Sequence, residues 1–185
     1  MTPPASFQIS TPRLKLEPFQ PAADFHHFHR LASNPDVMRY ITGGMPFSEE
    51  RSRDWLARQV AHLGEHGYAR WRLSLRETGE FAGLCGAEMK VLDGERVPEL
   101  GWWIVPELWG MGLASEAAQA TLSNLWDSVR LPRITACALP DNAPSIRIMQ
   151  KLGLTYEKHF WEESLFNGEH LWLVMYSRNR PAASD

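Results

Sequence analysis

Cysteine is scarce in this sequence, and basic residues are not in excess. The 185 residues include two cysteines and carry a formal net charge of -3. Cys85 and Cys137 do not form a CxxC pair, so we expect buried, reduced thiols rather than a disulfide, and we predict no metal site. The negative net charge argues against a nucleic-acid partner.

Long apolar segments are also missing. No run approaches the ~18 residues that cross a membrane. Residues 1–10, MTPPASFQIS, lack the basic start and apolar core of a signal peptide. We therefore expect no membrane partner and a cytoplasmic location. With 44% apolar and 22% charged residues, the chain is predicted to form one domain over residues 1–185, with an ordered core at about 8–178 and short flexible termini.

Alternating strand and helix patterns predict an α+β fold. Apolar and polar residues alternate from Ala69 to Arg76, which is typical of a half-buried strand, and Ser48 is placed to cap a helix. The dipeptide Asn167-Gly168 predicts a type I′ hairpin turn. The predicted strands are 13–18, 69–76, 81–89, 97–105, 134–139, 156–165 and 170–177, and the first two helices are 24–31 and 48–62. This order predicts a mixed sheet with helices on both faces.

The segment from Glu99 to Ala120, ELGWWIVPELWGMGLASEAAQA, is the most informative part of the chain. An apolar strand ends in a break at Pro106, and Gly110 and Gly112 then precede an alanine-rich helix. The peptide N–H groups of residues 109–115 would lack intrahelical acceptors, and the helix dipole adds partial positive charge. Such a loop suits a diphosphate, which approaches the backbone closely at glycines.

Spacing separates the phosphate loops that would place glycines here. A P-loop requires a Lys after its last glycine, and the dinucleotide fingerprint GxGxxG requires a glycine where this chain has Ser115. A plain strand-to-helix turn stays open. The stretch from Trp109 to Ala114, WGMGLA, resembles the coenzyme A loop (Q/R)xxGx(G/A) of the GNAT N-acetyltransferase superfamily, with Trp109 in the Gln/Arg place. With the preceding GxWxxPE strand, it is similar to the branch of ribosomal-protein N-terminal acetyltransferases.

A second segment strengthens the resemblance. Residues 141–153, DNAPSIRIMQKLG, are similar to the family's NxxSxxxxxKLGF element. The same residues predict a helix without reference to the family, because Asn142 is a good N-cap, Pro144 suits the first turn and Gly153 suits the C-terminal end. The two motifs occur in the order that the family has.

The resemblance implies a fold, a cofactor and a set of contacts. The implied GNAT fold has a mostly antiparallel sheet of about seven strands, in which a bulged strand at 100–105 splays from the parallel strand at 134–139. The implied cosubstrate is acetyl-CoA, whose pantetheine arm would pair with the backbone of Ile104 and Val105. The other implied cofactor contacts are Trp109, Gly110, Met111, Gly112, Leu113, Ala114, Ser115, Asn142 and Lys151.

Acetyl transfer from a thioester to an amine sets the catalytic candidates. The reaction needs an uncharged nitrogen, a stabilised oxyanion and often a proton for the departing thiolate. The resemblance implies Ser145 as the acid. We predict Glu99, on the strand leading into the cleft, as the base, directly or through water. Three alternatives stay open: Ser145 as a hydroxyl that only caps, Asn142 as a pure N-cap, and Glu99 as a solvated carboxylate.

One position departs from the ribosomal-protein branch. Where that branch has a proposed general base, three residues before the hairpin Asn-Gly, this chain has Ser164. Either Glu162, on the same strand face as Ser164, substitutes for it, or water and Glu99 accept the proton. The substrate of that branch is therefore not carried over.

These observations predict an acetyl-CoA-dependent N-acetyltransferase in which the acceptor amine attacks directly within a ternary complex. No histidine near Cys85 or Cys137 in sequence supports an acyl-cysteine intermediate. The predicted acceptor is a protein N-terminus or a small-molecule amine, contacted by residues 40–47 and 161–167. A catalytically silent acyl-CoA sensor and a nucleotide-binding domain are the alternatives, and a homodimer is left open.

Overall fold

The computed structural model describes residues 8–163 and 170–182. In this part of the chain, eight strands form one sheet ordered β1-β2-β3-β4-β5-β6-β8-β7, and every neighbouring pair is antiparallel except β5 and β6. The strands are Ile9–Ser10 (β1), Leu14–Glu17 (β2), Arg70–Leu75 (β3), Phe81–Leu92 (β4), Glu95–Ile104 (β5), Arg133–Ala138 (β6), Thr155–Glu163 (β7) and His170–Asn179 (β8). The helices are Pro21–Ala32 (α1), Pro35–Met38 (α2), Glu49–His66 (α3), Leu113–Asp127 (α4) and Ala143–Lys151 (α5). The predicted α+β class is confirmed.

Helices cover both faces of the sheet, as predicted. On one face, Phe28 of α1 and Trp55 of α3 pack in a cluster with Leu84 of β4. On the other face, α4 packs its apolar side chains in a cluster with β4 and β5; its members include Leu113, Ala117, Leu122, Cys85 and Leu100. Side chains alternate between the faces of a strand, so the same two strands supply both clusters. Strand β5 and the start of the loop that follows it therefore lie between two layers of helices.

The predicted splay between β5 and β6 is confirmed. These strands share a single register pair, Glu99 with Thr135. Past Glu99, β5 continues to Ile104 with no pairing to β6 in the described residues, which opens a gap that we call the β5–β6 gap. The predicted bulge in residues 100–105 is wrong, because β4 and β5 pair without a register shift from Gly83–Ile104 to Leu92–Glu95.

A two-residue turn between β4 and β5 sets this regular register. Asp93 and Gly94 have φ of +49° and +78°, the positive values that a type I′ turn requires. The strands on either side are therefore longer than the predicted 81–89 and 97–105. The predicted turn at Asn167-Gly168 lies outside the described residues.

Helix α3 begins where predicted but ends later. Ser48 Oγ accepts a hydrogen bond from the Arg51 N–H at 3.2 Å, which confirms the predicted N-cap. The helix continues through Gly64 and ends before Gly67, which has a φ of +75°. The predicted end at 62 is wrong, because a helical glycine costs only about 1 kcal/mol relative to alanine and the added turn buries Leu63.

Candidate cofactor and acceptor site

The loop between β5 and α4 has the geometry of an anion-binding turn. After a 3-10 turn at Pro106–Leu108, Gly110 and Gly112 have φ of +76° and +77°, a left-handed conformation that glycine adopts without strain. A Cβ atom on Gly110 would meet no protein atom within 4 Å. The backbone conformation therefore requires both glycines, and the space beside Gly110 is open.

The loop presents a row of peptide N–H groups. From Gly110 to Ser115, these groups have no hydrogen-bond acceptor in the part of the chain that the structure describes, and we call them the cradle. The first helical bond of α4 joins the Glu116 N–H to the Gly112 carbonyl at 3.1 Å. The Trp109 N–H was predicted to belong to this row, but it donates to the Pro106 carbonyl at 3.1 Å. Unpaired N–H groups at the positive end of a helix dipole favour an anion.

Strand β5 offers further backbone groups along the β5–β6 gap. Hydrogen-bonded and non-hydrogen-bonded pairs alternate in an antiparallel ladder, and the Val105 N–H donates to the Ala82 carbonyl at 3.1 Å. Odd-numbered residues of β5 therefore pair with β4, and even-numbered residues direct their peptide groups toward the gap. Val105 does not offer the free groups that were predicted, since its carbonyl also accepts from the Leu108 N–H at 3.0 Å.

Of the two peptide groups of Ile104 that were predicted to pair with pantetheine, only the N–H is free to do so in the described part of the chain. Its carbonyl accepts a hydrogen bond from the Trp109 indole Nε1 at 2.7 Å. This bond fixes the half-exposed Trp109 ring against the end of β5. By the alternation of the ladder, the peptide groups that face the gap are the Ile104 N–H and both groups of Trp102.

Helix α5 brings the second motif to the same place. Asn142 caps the helix, because its side chain accepts a hydrogen bond from the Ser145 N–H at 3.3 Å, and Pro144 lies in the first turn as predicted. One cleft of about 660 Å³ is lined by the predicted residues Ile104, Trp109, Gly110, Gly112, Leu113, Ala114, Ser115, Asn142, Ser145 and Lys151. Trp102 and Arg147 line it too, whereas Val105 and Met111 do not. The two sequence motifs thus form one site.

Another part of the cleft wall comes from α2, which the sequence patterns missed. Asn34 Oδ1 accepts from the Asp36 N–H at 2.9 Å, and proline follows Asn34 at the first helical position. An N-cap followed by proline is a helix-start signal that the sequence does carry. The turn brings Asp36, Arg39 and Tyr40 to the cleft. Trp161, predicted near the acceptor, is 60% exposed and does not line the cleft.

The structure places Glu99 in an ion network rather than on the cleft wall. Its carboxylate pairs with the buried Arg70 guanidinium and with Lys90 Nζ, the latter at 2.9 Å. Glu88 completes the network, with an oxygen 3.4 Å from Arg70 Nε. Burial alone would raise the pKa of Glu88, but the charges of Arg70 and Lys90 lower it to about 2. Glu99 is thus held between two cations.

The other polar candidates lie apart from the cleft. A Glu162 carboxylate oxygen is 3.5 Å from the Asp93 N–H, and Ser164 lies outside the described residues. Burial raises the pKa of the Cys85 thiol to about 12 and also raises that of Cys137. Across residues 8–163 and 170–182, no His, Cys, Asp and Glu residues group as a metal site would require, and no helix is long and apolar enough to cross a bilayer.

A brace that sequence reasoning missed supports the loop from its outer side. Glu116 Oε1 accepts hydrogen bonds from Thr11 Oγ1 at 2.5 Å and from the Arg13 N–H at 2.9 Å. Glu116 Oε2 pairs with Arg13 Nε at 2.6 Å. Burial alone would raise the pKa of Glu116, but these donors and the Arg13 charge lower it. The partners are far apart in sequence, and no local pattern connects them.

Comparison with known proteins gives a family for this arrangement. A family model described as an acetyltransferase (GNAT) domain matches residues 13–155. The chain is also similar to YnaD of Bacillus subtilis (strain 168), named an uncharacterized N-acetyltransferase, with 30% identity over 91% of this chain and 94% of that protein.

Solved structures agree with the fold. An acetyltransferase of the GNAT family from Bacillus anthracis has 30% identity and a TM-score of 0.76, covering 94% of this chain and 98% of that chain. RimL, a ribosomal L7/L12 alpha-N-protein acetyltransferase in complex with coenzyme A, has a TM-score of 0.76 at 18% identity, covering 93% of this chain and 97% of that chain. The RimL likeness shows the fold alone, so the ribosomal-protein branch stays a prediction.

Proposed function

This chain belongs to the GNAT acetyltransferase family, and we propose that its acceptor is a primary amine, of a protein N-terminus or a small molecule, that attacks acetyl-CoA directly in a ternary complex. The enzyme is an acetyltransferase and uses acetyl-CoA. What we propose is the acceptor amine, its direct attack on acetyl-CoA, and the residues that bind the cofactor and assist the reaction. A cytoplasmic location and a single domain over residues 1–185 stay predictions, and a homodimer stays open.

The observation that carries the proposal is the cradle beside an open cleft. Its N–H groups, from Gly110 to Ser115, are placed to bind the diphosphate of the cofactor. The peptide groups of Trp102 and Ile104 that face the β5–β6 gap would pair with the pantetheine amides, as an added strand would. Asn142 lies beside them, and the cation of Lys151 lines the same cleft and would contact a cofactor phosphate.

The chemistry favours direct attack. When bound, acetyl-CoA supplies an acetyl group activated as a thioester. An acyl-cysteine route needs a thiolate, and burial keeps both thiols protonated by raising the pKa of Cys85 and of Cys137. We assign Ser145 as the proton donor to the departing sulfur, because it lines the cleft on α5 and its hydroxyl has no hydrogen-bond partner among the described residues.

Turnover tests the proposed function. Purified protein is incubated with acetyl-CoA and a panel of amines, including peptides with free N-termini, polyamines and amino acids. Thiol release is measured, and each product is examined by mass spectrometry. Amine-dependent thiol release with an acetylated product is expected. Tight acetyl-CoA binding with no thiol release for any amine would instead support the silent sensor.

Replacing Ser145 by alanine should lower kcat about a hundredfold, the usual contribution of a positioned acid. The Kd for acetyl-CoA should not change, because the cap uses the Ser145 backbone N–H and not its hydroxyl. Steady-state kinetics and calorimetry separate the two quantities. Ser145→Thr, which keeps a hydroxyl, is the matched control and should retain most activity. A Ser145→Ala enzyme with normal kcat would mean that the hydroxyl is not the acid.

We keep Glu99 as the proposed base, acting through water because it does not line the cleft. Replacing Glu99 by glutamine should therefore lower kcat/KM about tenfold or more. Glu88→Gln is the matched control, since both carboxylates belong to the Arg70 network. Both substitutions remove one negative charge near the same cation, so their effects on stability should be similar. Equal activity of the two variants would assign Glu99 a structural role only.

A further inference from the structure

Arg13 contacts both ends of the loop that forms the cradle. Its Nη1 donates to the Met111 carbonyl at 2.8 Å, and its Nε pairs with Glu116 at 2.6 Å. A Cβ built on Gly112 would lie 3.7 Å from its Nη2. One guanidinium therefore spans Gly112, from the residue before it to the first turn of α4.

The bond to Met111 fixes the direction of one N–H group in the cradle. The Met111 carbonyl and the Gly112 N–H belong to a single trans peptide group, so they point in opposite directions. Arg13 and Met111 do not line the cleft, whereas Gly112 does. Holding the Met111 carbonyl on Arg13 therefore turns the Gly112 N–H toward the cleft.

The same guanidinium also holds the Glu116 carboxylate, an anion that could compete with a phosphate for the cradle. Glu116 follows the last residue of the cradle. A free carboxylate in the first turn of a helix can accept hydrogen bonds from nearby N–H groups. Both of its oxygens are instead engaged, by Thr11 and Arg13. The brace thereby keeps the carboxylate away from the N–H groups that an incoming phosphate would use.

We propose that Arg13 is a positioning residue for cofactor binding, which orients the Gly112 N–H toward the diphosphate and restrains Glu116. The inference rests on the proposed function, since it assumes that the cradle binds the diphosphate of acetyl-CoA. Arg13 does not line the cleft, so it acts on the ligand through Met111 and Glu116. Its effect should therefore depend on whether the ligand carries a diphosphate.

The test compares two probes on Arg13→Met, which keeps the length of the side chain and removes its donors. Coenzyme A carries the diphosphate, whereas pantetheine lacks both the diphosphate and the nucleotide. Binding is followed by tryptophan fluorescence, because Trp102 and Trp109 line the cleft. Arg13→Met should raise the Kd for coenzyme A about tenfold and leave that for pantetheine unchanged. Arg13→Lys, which retains the charge and one donor group, should give an intermediate Kd.

A control separates positioning from general damage. Arg76 Nη1 donates to the Thr11 carbonyl at 2.8 Å, so Arg76→Met removes a guanidinium bond to the same segment but leaves the Arg13 bond to Met111 and the bonds of Glu116 in place. Its Kd for coenzyme A should be normal. A normal coenzyme A affinity in Arg13→Met, or an equal loss for both probes, would overturn the inference while the proposed function stands. Failure of the wild-type protein to bind coenzyme A would overturn both.

Discussion

Replacing Gly110 by valine is expected to weaken acetyl-CoA binding by about a hundredfold or more in a protein that still folds. Gly110 has a φ of +76°, and leaving this conformation would rotate the adjoining N–H groups out of the cradle. Losing two charge-assisted hydrogen bonds costs ~3–6 kcal/mol, which corresponds to a Kd raised on the order of a hundredfold or more. A Cβ atom on Gly110 meets no protein atom within 4 Å, so no clash at that atom prevents folding.

Gly79 provides a matched control for this substitution. It has a φ of +75° and equally open surroundings, but it lies in the β3–β4 turn, away from the cleft. Valine at either position should lower the free energy of unfolding by up to roughly 1–2 kcal/mol, the cost of keeping a side chain in left-handed backbone, because the backbone leaves that conformation where leaving costs less. Thermal unfolding measures that shared loss, and calorimetry with acetyl-CoA measures the difference. Equal affinities of the two variants would exclude the cradle as the cofactor site.

The parts of the site that sequence patterns predicted are those whose signals act within one turn of chain. Gly110 and Gly112 mark positive φ, and Asn142 with Pro144 marks a helix start, so both motifs are placed correctly. Each signal depends on the backbone a few residues away and on nothing distant. The splay followed from the family resemblance rather than from such a pattern.

The backbone groups of β5 were misassigned because they depend on register, which a distant turn sets. The pair of residues that flanks a two-residue turn is hydrogen-bonded, and here that pair is Leu92 with Glu95. Because hydrogen-bonded and non-hydrogen-bonded pairs alternate from there, the odd-numbered residues of β5 direct their peptide groups toward β4. Val105 is therefore occupied, and Ile104 faces the gap. The signal Asp93-Gly94 is present in the sequence, so this part was predictable in principle.

Contacts between distant segments were not predictable from local patterns. The brace joins Arg13 to Glu116, and the network around Glu99 joins β3, β4 and β5. Both depend on which strands are neighbours and on where glycines leave space. A Cβ on Gly101 would lie 2.2 Å from Arg70 Nη1, so the absence of a side chain there makes room for the guanidinium.

Arg70 holds the most buried charge of this network. Burial alone would lower its pKa, but the charges of Glu99 and Glu88 raise it, so the guanidinium stays ionised. Gln59 supports the arrangement, because it donates to Glu88 at 2.7 Å and accepts from the Arg70 N–H at 3.0 Å. Removing Arg70 would leave two largely buried carboxylates without the cation that they share.

Replacing Arg70 by methionine should therefore lower the free energy of unfolding at pH 7 by about 3–5 kcal/mol, the usual cost of breaking a buried ion pair. The loss should depend on pH. In the wild type, the pKa of Glu88 falls from 4.5 in the unfolded chain to about 2 in the folded protein. The stability from this shift, on the order of 3 kcal/mol, is present above pH ~4.5 and is lost as the pH falls toward ~2.

Without Arg70, the folded protein no longer favours the ionised form of Glu88 as strongly, so acid costs the variant less stability than it costs the wild type. The difference between the two proteins should narrow as the pH falls from ~4.5 to ~2, as measured by urea unfolding over that range. Lys90→Met is the matched control, since Lys90 pairs with the same carboxylates but is 37% exposed. This variant should lose under ~1 kcal/mol of unfolding free energy. A difference between wild type and Arg70→Met that stays constant with pH would mean that Arg70 stabilises the sheet by packing and not by its charge.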